Sequence, residues 1–114
     1  MKKVLIANAL DSERMLLETI LKDLHYQVVG VKDGGCALEL AQSNQFELVI
    51  ADEKMPFIDG IDLTDMLRNI RSYKKTYIIL TSKNCSQIKN KINFNSCINK
   101  PFNKEDFLTK LRYE

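Results

Sequence analysis

Four apolar runs in this chain end on a residue worth attention. FELVIA (46–51) leads into Asp52, YIIL (77–80) into Thr81, a short run around Cys97-Ile98 into Lys100-Pro101, and VLIA (4–7) into Asn8-Ala9. An aspartate at the end of a buried strand, faced by a lysine and a threonine, is suited to accept a phosphoryl group. The carboxylate acts as the nucleophile. The hydroxyl and the ammonium bind the incoming phosphoryl oxygens. Such chemistry also asks for a divalent cation, because Mg²⁺ bridges acceptor and phosphoryl group and offsets their repulsion. Mg²⁺ wants hard carboxylate oxygens in octahedral geometry. A plainer reading stands beside this one: Lys100 pairs directly with Asp52 as a static ion pair that closes a polar pocket.

The elements that would bring these residues together follow from the apolar pattern. Met15, Leu16, Ile20, Leu21 and Leu24 recur at helical spacing over 12–25, with Asp11 or Ser12 as N-cap. YQVVGV (26–31) is β-branched and strand-like, and Asp33-Gly34-Gly35 breaks it. Cys36, Ala37, Leu40 and Ala41 open a second amphipathic helix. Met55-Pro56 and Asp59-Gly60 are loop signals, and Ile61, Leu63, Met66, Leu67 and Ile70 form a third helix. Residues 82–93 are polar and make a poor helix, with Ile88 and Ile92 as aliphatic anchors. Asp106 to Arg112 reads as a last helix with Phe107, Leu108 and Leu111 inward. Strands and helices alternate throughout 1–114 without a linker, so one domain is expected.

Near-continuous apolar strands between helices imply a parallel sheet covered on both faces. Right-handed crossovers turn that into an α/β, doubly wound, three-layer sandwich. In such sheets the ligand site lies beyond the carboxyl ends of the strands. That is where Asn8-Ala9, Asp52, Thr81 and Lys100 would meet.

Composition narrows the class. The chain has 114 residues, of which 45 % are apolar, enough for one core. No apolar run approaches the ~18 residues of a membrane span, so no membrane role is expected and the default is a cytoplasmic protein. Cys36, Cys85 and Cys97 are odd in number and irregularly spaced. They are expected to be reduced, mostly buried thiols. The net charge of +2 is unevenly spread: residues 1–67 carry about −6, and residues 68–112 about +9. Lys83, Lys89, Lys91, Lys104, Lys110 and Arg112 form a basic 83–112 portion that could dock an acidic protein face or support a homodimer. Direct nucleic-acid binding is not expected, because no reader module is present.

The combination of "LVIADEKMPFIDGIDL" (48–63), "YIILTS" (77–82), "INKPF" (98–102) and "VKDGGCALEL" (31–40) resembles the receiver domains of two-component response regulators over nearly the whole chain. The resemblance implies a flavodoxin-like fold with strand order 2-1-3-4-5. It implies Asp52 as phosphoacceptor, Thr81 as switch hydroxyl and Lys100 as the phosphoryl contact. Lys100-Pro101 looks like the family's cis peptide. Lys54 falls where the family's metal contact is a main-chain carbonyl. A histidine kinase is the implied phosphodonor, and no enzymatic activity is implied beyond accepting a phosphoryl group on Asp52.

Three departures bear on the switch. The family's Mg²⁺-binding acidic pair is replaced by Asn8, with one neutral side-chain oxygen, and Ala9, with none. Asp52, Asn8 and the Lys54 carbonyl remain as a weak metal set, so Mg²⁺ binding is expected to be weak or absent. Asp11 is expected to cap the first helix instead of substituting, and Glu53 to point to the opposite face from Asp52. Cys97 occupies the place of the family's reporting aromatic; Phe94 and Tyr77 read as core residues. The segment from Thr81 to Lys100 is a few residues short, so the fourth helix should be short, frayed or replaced by loop. The expectation is therefore an atypical receiver acting by protein–protein interaction with impaired Mg²⁺-dependent phosphorylation. The alternative is a working receiver phosphorylated on Asp52. A flavin-binding reading fails because "NALDS" lacks a phosphate-cradling loop. An aspartyl phosphatase would want an acid where Lys54 stands.

Overall fold

The computed structural model describes residues 2–89 and 92–111. Five strands alternate with helices: β1 (Lys3–Ala7), α1 (Asp11–Asp23), β2 (Gln27–Val31), α2 (Gly34–Ser43), β3 (Leu48–Asp52), α3 (Gly60–Arg68), β4 (Tyr77–Ser82), β5 (Ser96–Asn99) and α4 (Lys104–Leu111). All strands pair in parallel, in the order β2-β1-β3-β4-β5. The flavodoxin-like architecture and its strand order are as the sequence implied.

Alternation along each strand splits the core in two. Leu5, Val49, Ala51, Ile78 and Leu80 face α2 and α3, and pack with Phe46, Leu63, Leu67 and Tyr73. Val4, Ile6, Leu48, Ile50 and Ile79 face α1 and α4, and pack with Leu17, Ile20, Leu21 and Phe107. Phe94 is buried in the first cluster and Tyr77 packs against the second, so both are core residues as expected.

The structure corrects four local expectations. First, α1 begins one or two residues earlier than its cap signals suggest: its N-cap position is Leu10, with no side-chain cap, and Asp11 is the first helical residue. The reversal out of β1 is made by Asn8, whose Oδ1 accepts from the Leu10 amide at 2.8 Å. Asp11 instead meets Arg14 at 2.6 Å, and that hydrogen bond and charge hold its carboxyl below the usual range. Second, Leu17 joins Ile20 and Leu21 in the core, while Met15, Leu16 and Leu24 are exposed. The stripe that faces the sheet is Leu17, Ile20 and Leu21. Third, of the two aliphatic anchors expected in 82–93 only one packs, although the described part of that segment holds a 3-10 turn, Cys85–Gln87, in place of a fourth helix, as the short spacing allowed. Ile88 is buried there, but Ile92 is exposed. Fourth, the cysteines are not reduced, buried thiols. Cys85 and Cys97 form a disulfide with their Cα atoms 5.9 Å apart, and Cys36 is free and exposed. The 3-10 turn carries Cys85 back over β5, a closeness that linear spacing does not reveal. Lys91 and Arg112 of the expected basic portion lie outside the described residues.

Candidate functional site

The parallel register brings β3 and β4 to the same level, with Asp52 beside Thr81. Both side chains leave the same end of the sheet and both are buried. Thr81 Oγ1 donates to Asp52 Oδ1 at 2.7 Å. Beyond β5 the chain turns at Lys100, whose amide donates to the Ser82 carbonyl at 2.7 Å. The Lys100–Pro101 peptide is cis. The Lys100 ammonium lies 2.8 Å from Asp52 Oδ1, with its side chain 8 % exposed. The three residues singled out from sequence therefore meet on one carboxylate oxygen.

Burial works against a charge on Lys100. The hydrogen bonds and negative charges of Asp52 and Glu13 outweigh it, and its pKa stays above the ordinary lysine value. Lys100 is therefore an ammonium throughout the physiological range.

Glu13 is the residue that the sequence reading missed. It stands in the first turn of α1, and its Oε1 lies 3.1 Å from Lys100 Nζ. The same oxygen accepts from Asn8 Nδ2 at 3.1 Å. A helix entered directly after a strand end projects its first turn over the neighbouring strand ends. That is the available signal, and it singles out Glu13 over Asp11 only once the start of α1 is known.

Asn8 is 1 % exposed and fully engaged. Its Oδ1 holds the Leu10 amide, its Nδ2 holds Glu13, and its main-chain oxygen accepts from Arg14 Nη1 at 3.0 Å. Ala9 contributes no polar side chain but lines the cleft with Leu10. Glu53 does not turn to the opposite face. It lies just past the end of β3 and folds over the rim, where Ser82 Oγ donates to its Oε1 at 2.6 Å. Lys54 is exposed and pairs with Glu53 at 3.9 Å. Ala9, Asp52, Glu53, Lys54, Lys83 and Lys100 are among the walls of an open cleft of about 320 Å³ above these groups.

Chemically, the cleft offers one buried carboxylate, a hydroxyl and an ammonium at hydrogen-bond distance from it, and further lysines at the rim. Those are the group types from which a nucleophile and its anion-binding partners could be built. Gly60 opens α3 directly behind: a Cβ there would run into the Asp52 carbonyl oxygen, so the close approach of α3 to the strand end needs glycine.

The comparisons with known proteins agree with one another. The sequence model described as the response regulator receiver domain matches residues 4–112. The sensor protein EvgS of Escherichia coli O157:H7 is 30 % identical over 110 residues, which is 95 % of this chain and 9 % of that protein. The chain spans a tenth or less of the length of several such curated relatives. Among solved structures, the chemotaxis response regulator CheY4 of Vibrio cholerae superposes with a TM-score of 0.92 at 31 % identity, covering 99 % of this chain and 98 % of that one. The response regulator TrrA of Thermotoga maritima, solved in complex with Mg²⁺ and BeF, gives a TM-score of 0.88 at 25 % identity, covering 99 % and 98 %.

Proposed function

The chain belongs to the family of response regulator receiver domains of two-component signalling, and from that premise we propose that it is an atypical receiver. It signals by protein–protein contact, and Mg²⁺-dependent phosphorylation of Asp52 is impaired. One observation carries this reading: the end of β1 has no carboxylate to give. Asn8 spends its side-chain and main-chain oxygens on Leu10 and Arg14. Ala9 has no donor. The Lys100 ammonium already lies on Asp52. Among the described residues, no group of three or more His, Cys, Asp or Glu is arranged to hold a metal ion. Asp52 and the Lys54 carbonyl are then the weak remainder, a set that does not fit an octahedral oxygen site for Mg²⁺.

The second reading, a phospho-accepting receiver, is favoured by the meeting of Asp52, Thr81 and Lys100. A carboxylate oxygen of Asp52 would form the new O–P bond as the P–N bond of a kinase phosphohistidine breaks, the ring nitrogen keeping the bond pair. Thr81 and Lys100 would hold the phosphoryl oxygens. In either reading the chain has no enzymatic role of its own, and a histidine kinase or another signalling protein is the partner. The likeness to a sensor protein supports a kinase-linked setting. Among the described residues no helix is long and apolar enough to cross a membrane.

An amide NMR titration with Mg²⁺, followed by beryllofluoride, decides between the two. The expected outcome is no saturating shift at Ala9, Asp52, Lys54 or Thr81 at millimolar Mg²⁺, and no beryllofluoride-dependent movement between Thr81 and Lys100. Saturating shifts at those amides, followed by movement of that segment, would overturn the atypical reading in favour of the second.

A further inference from the structure

We propose that Glu13 is a positioning residue that holds the Lys100 ammonium in the cleft as a tethered cation, the counter-charge that Asp52 would otherwise need from a divalent ion. The inference deepens the atypical-receiver reading and rests on it.

The starting point is charge. A carboxylate as buried as Asp52, 2 % exposed, needs a paired cation. Lys100 supplies it at 2.8 Å. A lysine on a four-carbon stem has many other places to go, and holding it there costs side-chain entropy. A second anion on the same ammonium reduces that freedom. Glu13 is that anion, 3.1 Å from Nζ, on a rigid first turn of helix.

Glu13 is itself fixed. Its Oε1 takes one hydrogen bond from Lys100 and one from Asn8 Nδ2. Asn8 is oriented in turn by the Leu10 amide on its Oδ1. The result is a continuous polar chain: Asn8, Glu13, Lys100, Asp52, Thr81. Every link pairs a donor with an acceptor. This gives a physical reason for a neutral amide at position 8. An aspartate there would set a carboxylate oxygen at hydrogen-bond distance from the Glu13 carboxylate, and the two would repel. Asn8 and Glu13 therefore belong together. The acid that does stand beside the site is on α1, where it faces the lysine instead of an ion.

The test uses Mn²⁺ alone as probe, with the free ion read by electron paramagnetic resonance, on the full chain. The wild type should show no saturable site at sub-millimolar Mn²⁺. Lys100→Met removes the tethered cation and leaves Asp52 and Glu13 open to an ion, so it should bind Mn²⁺ about tenfold or more tightly than wild type. Lys100→Met with Glu13→Gln should lose that gain. A second measurement covers the case in which Lys100→Met fails to fold: acetylation of Lys100 by acetic anhydride, relative to exposed Lys54, read by mass spectrometry. Glu13→Gln should raise the relative labelling of Lys100 severalfold, and Glu13→Asp should restore part of the protection. Sub-millimolar Mn²⁺ binding by the wild type would sink the atypical reading and this inference with it. A silent wild type with no gain in Lys100→Met, a gain that survives Glu13→Gln, or unchanged Lys100 labelling in Glu13→Gln would overturn this inference alone.

Discussion

An amide and a carboxylate at one strand end are not interchangeable once their neighbours are known. Asn8 donates to Glu13 at 3.1 Å and accepts from Leu10 at 2.8 Å, both inside a buried setting. Asn8→Asp keeps the acceptor toward Leu10 and turns the donor into a second anion beside Glu13. The expected cost is roughly 1–3 kcal/mol of folding stability at neutral pH, from a lost hydrogen bond and a new like-charge contact. Glu13→Gln in the same chain should recover most of it, because the glutamine amide can donate to the new carboxylate. Urea denaturation of the two single variants and the double variant measures this coupling directly. Equal losses with no coupling would show that the two side chains do not sense each other. At this scale the sequence was a good guide wherever a residue ended an apolar run. Asp52, Thr81 and Lys100 sit at strand ends, and parallel register brings strand ends together. It was a poor guide to Glu13 and Glu53. Their positions depend on where α1 starts and on how the chain leaves β3, and neither is set by hydrophobic period.

The segment between β4 and β5 shows the same limit for a whole element. The polar run 82–93 and its few aliphatic anchors marked a weak helix, and the described part holds one 3-10 turn. What stabilises the region was not legible, because it comes from another helix. Arg68, the last residue of α3, reaches across with its full fork. Its Nε donates to the Asn93 carbonyl at 2.7 Å, and Nη1 to the carbonyls of Tyr73 and Thr76 at 2.6 and 2.8 Å. Nη2 donates to Asn95 Oδ1 at 3.0 Å. Asn95 passes the link to β4, accepting from the Ile78 amide. A planar guanidinium with several donors can satisfy these oxygens at once, and a lysine cannot. Burial lowers the pKa of Arg68, but its ordinary value is so high that it stays charged. Arg68→Met should therefore cost roughly 2–4 kcal/mol, since three carbonyls lose a charged donor. Arg68→Lys should recover only a minor part. Thermal or urea unfolding measures both. A loss below about 0.5 kcal/mol would mean that water replaces the guanidinium without penalty.

Across the whole molecule, the order of the strands turns a charge gradient along the chain into one across the surface. The acidic residues 1–67 build β1, β2, β3 and the helices between them. The basic remainder builds β4, β5 and α4, which lie together at one edge of the sheet. Lys74, Lys75, Lys83, Lys89 and Lys104 are all exposed there. Two copies brought together would set the basic edge of one against the acidic side of the other. The contact this favours is head-to-tail and weak, because exposed pairs contribute little individually and are screened by salt. Sedimentation velocity should show self-association at about 0.02 M salt that disappears by about 0.3 M. Charge reversal at Lys83 and Lys104 should abolish it at low salt without changing the urea midpoint. Association that persists at high salt would point instead to an apolar contact, and the exposed Met15 and Leu16 of α1 would be the next side chains to change. A monomer at every salt concentration would leave the basic edge to an acidic protein partner. A partner held that way should lose affinity as salt is raised, while one that binds through exposed apolar side chains should not.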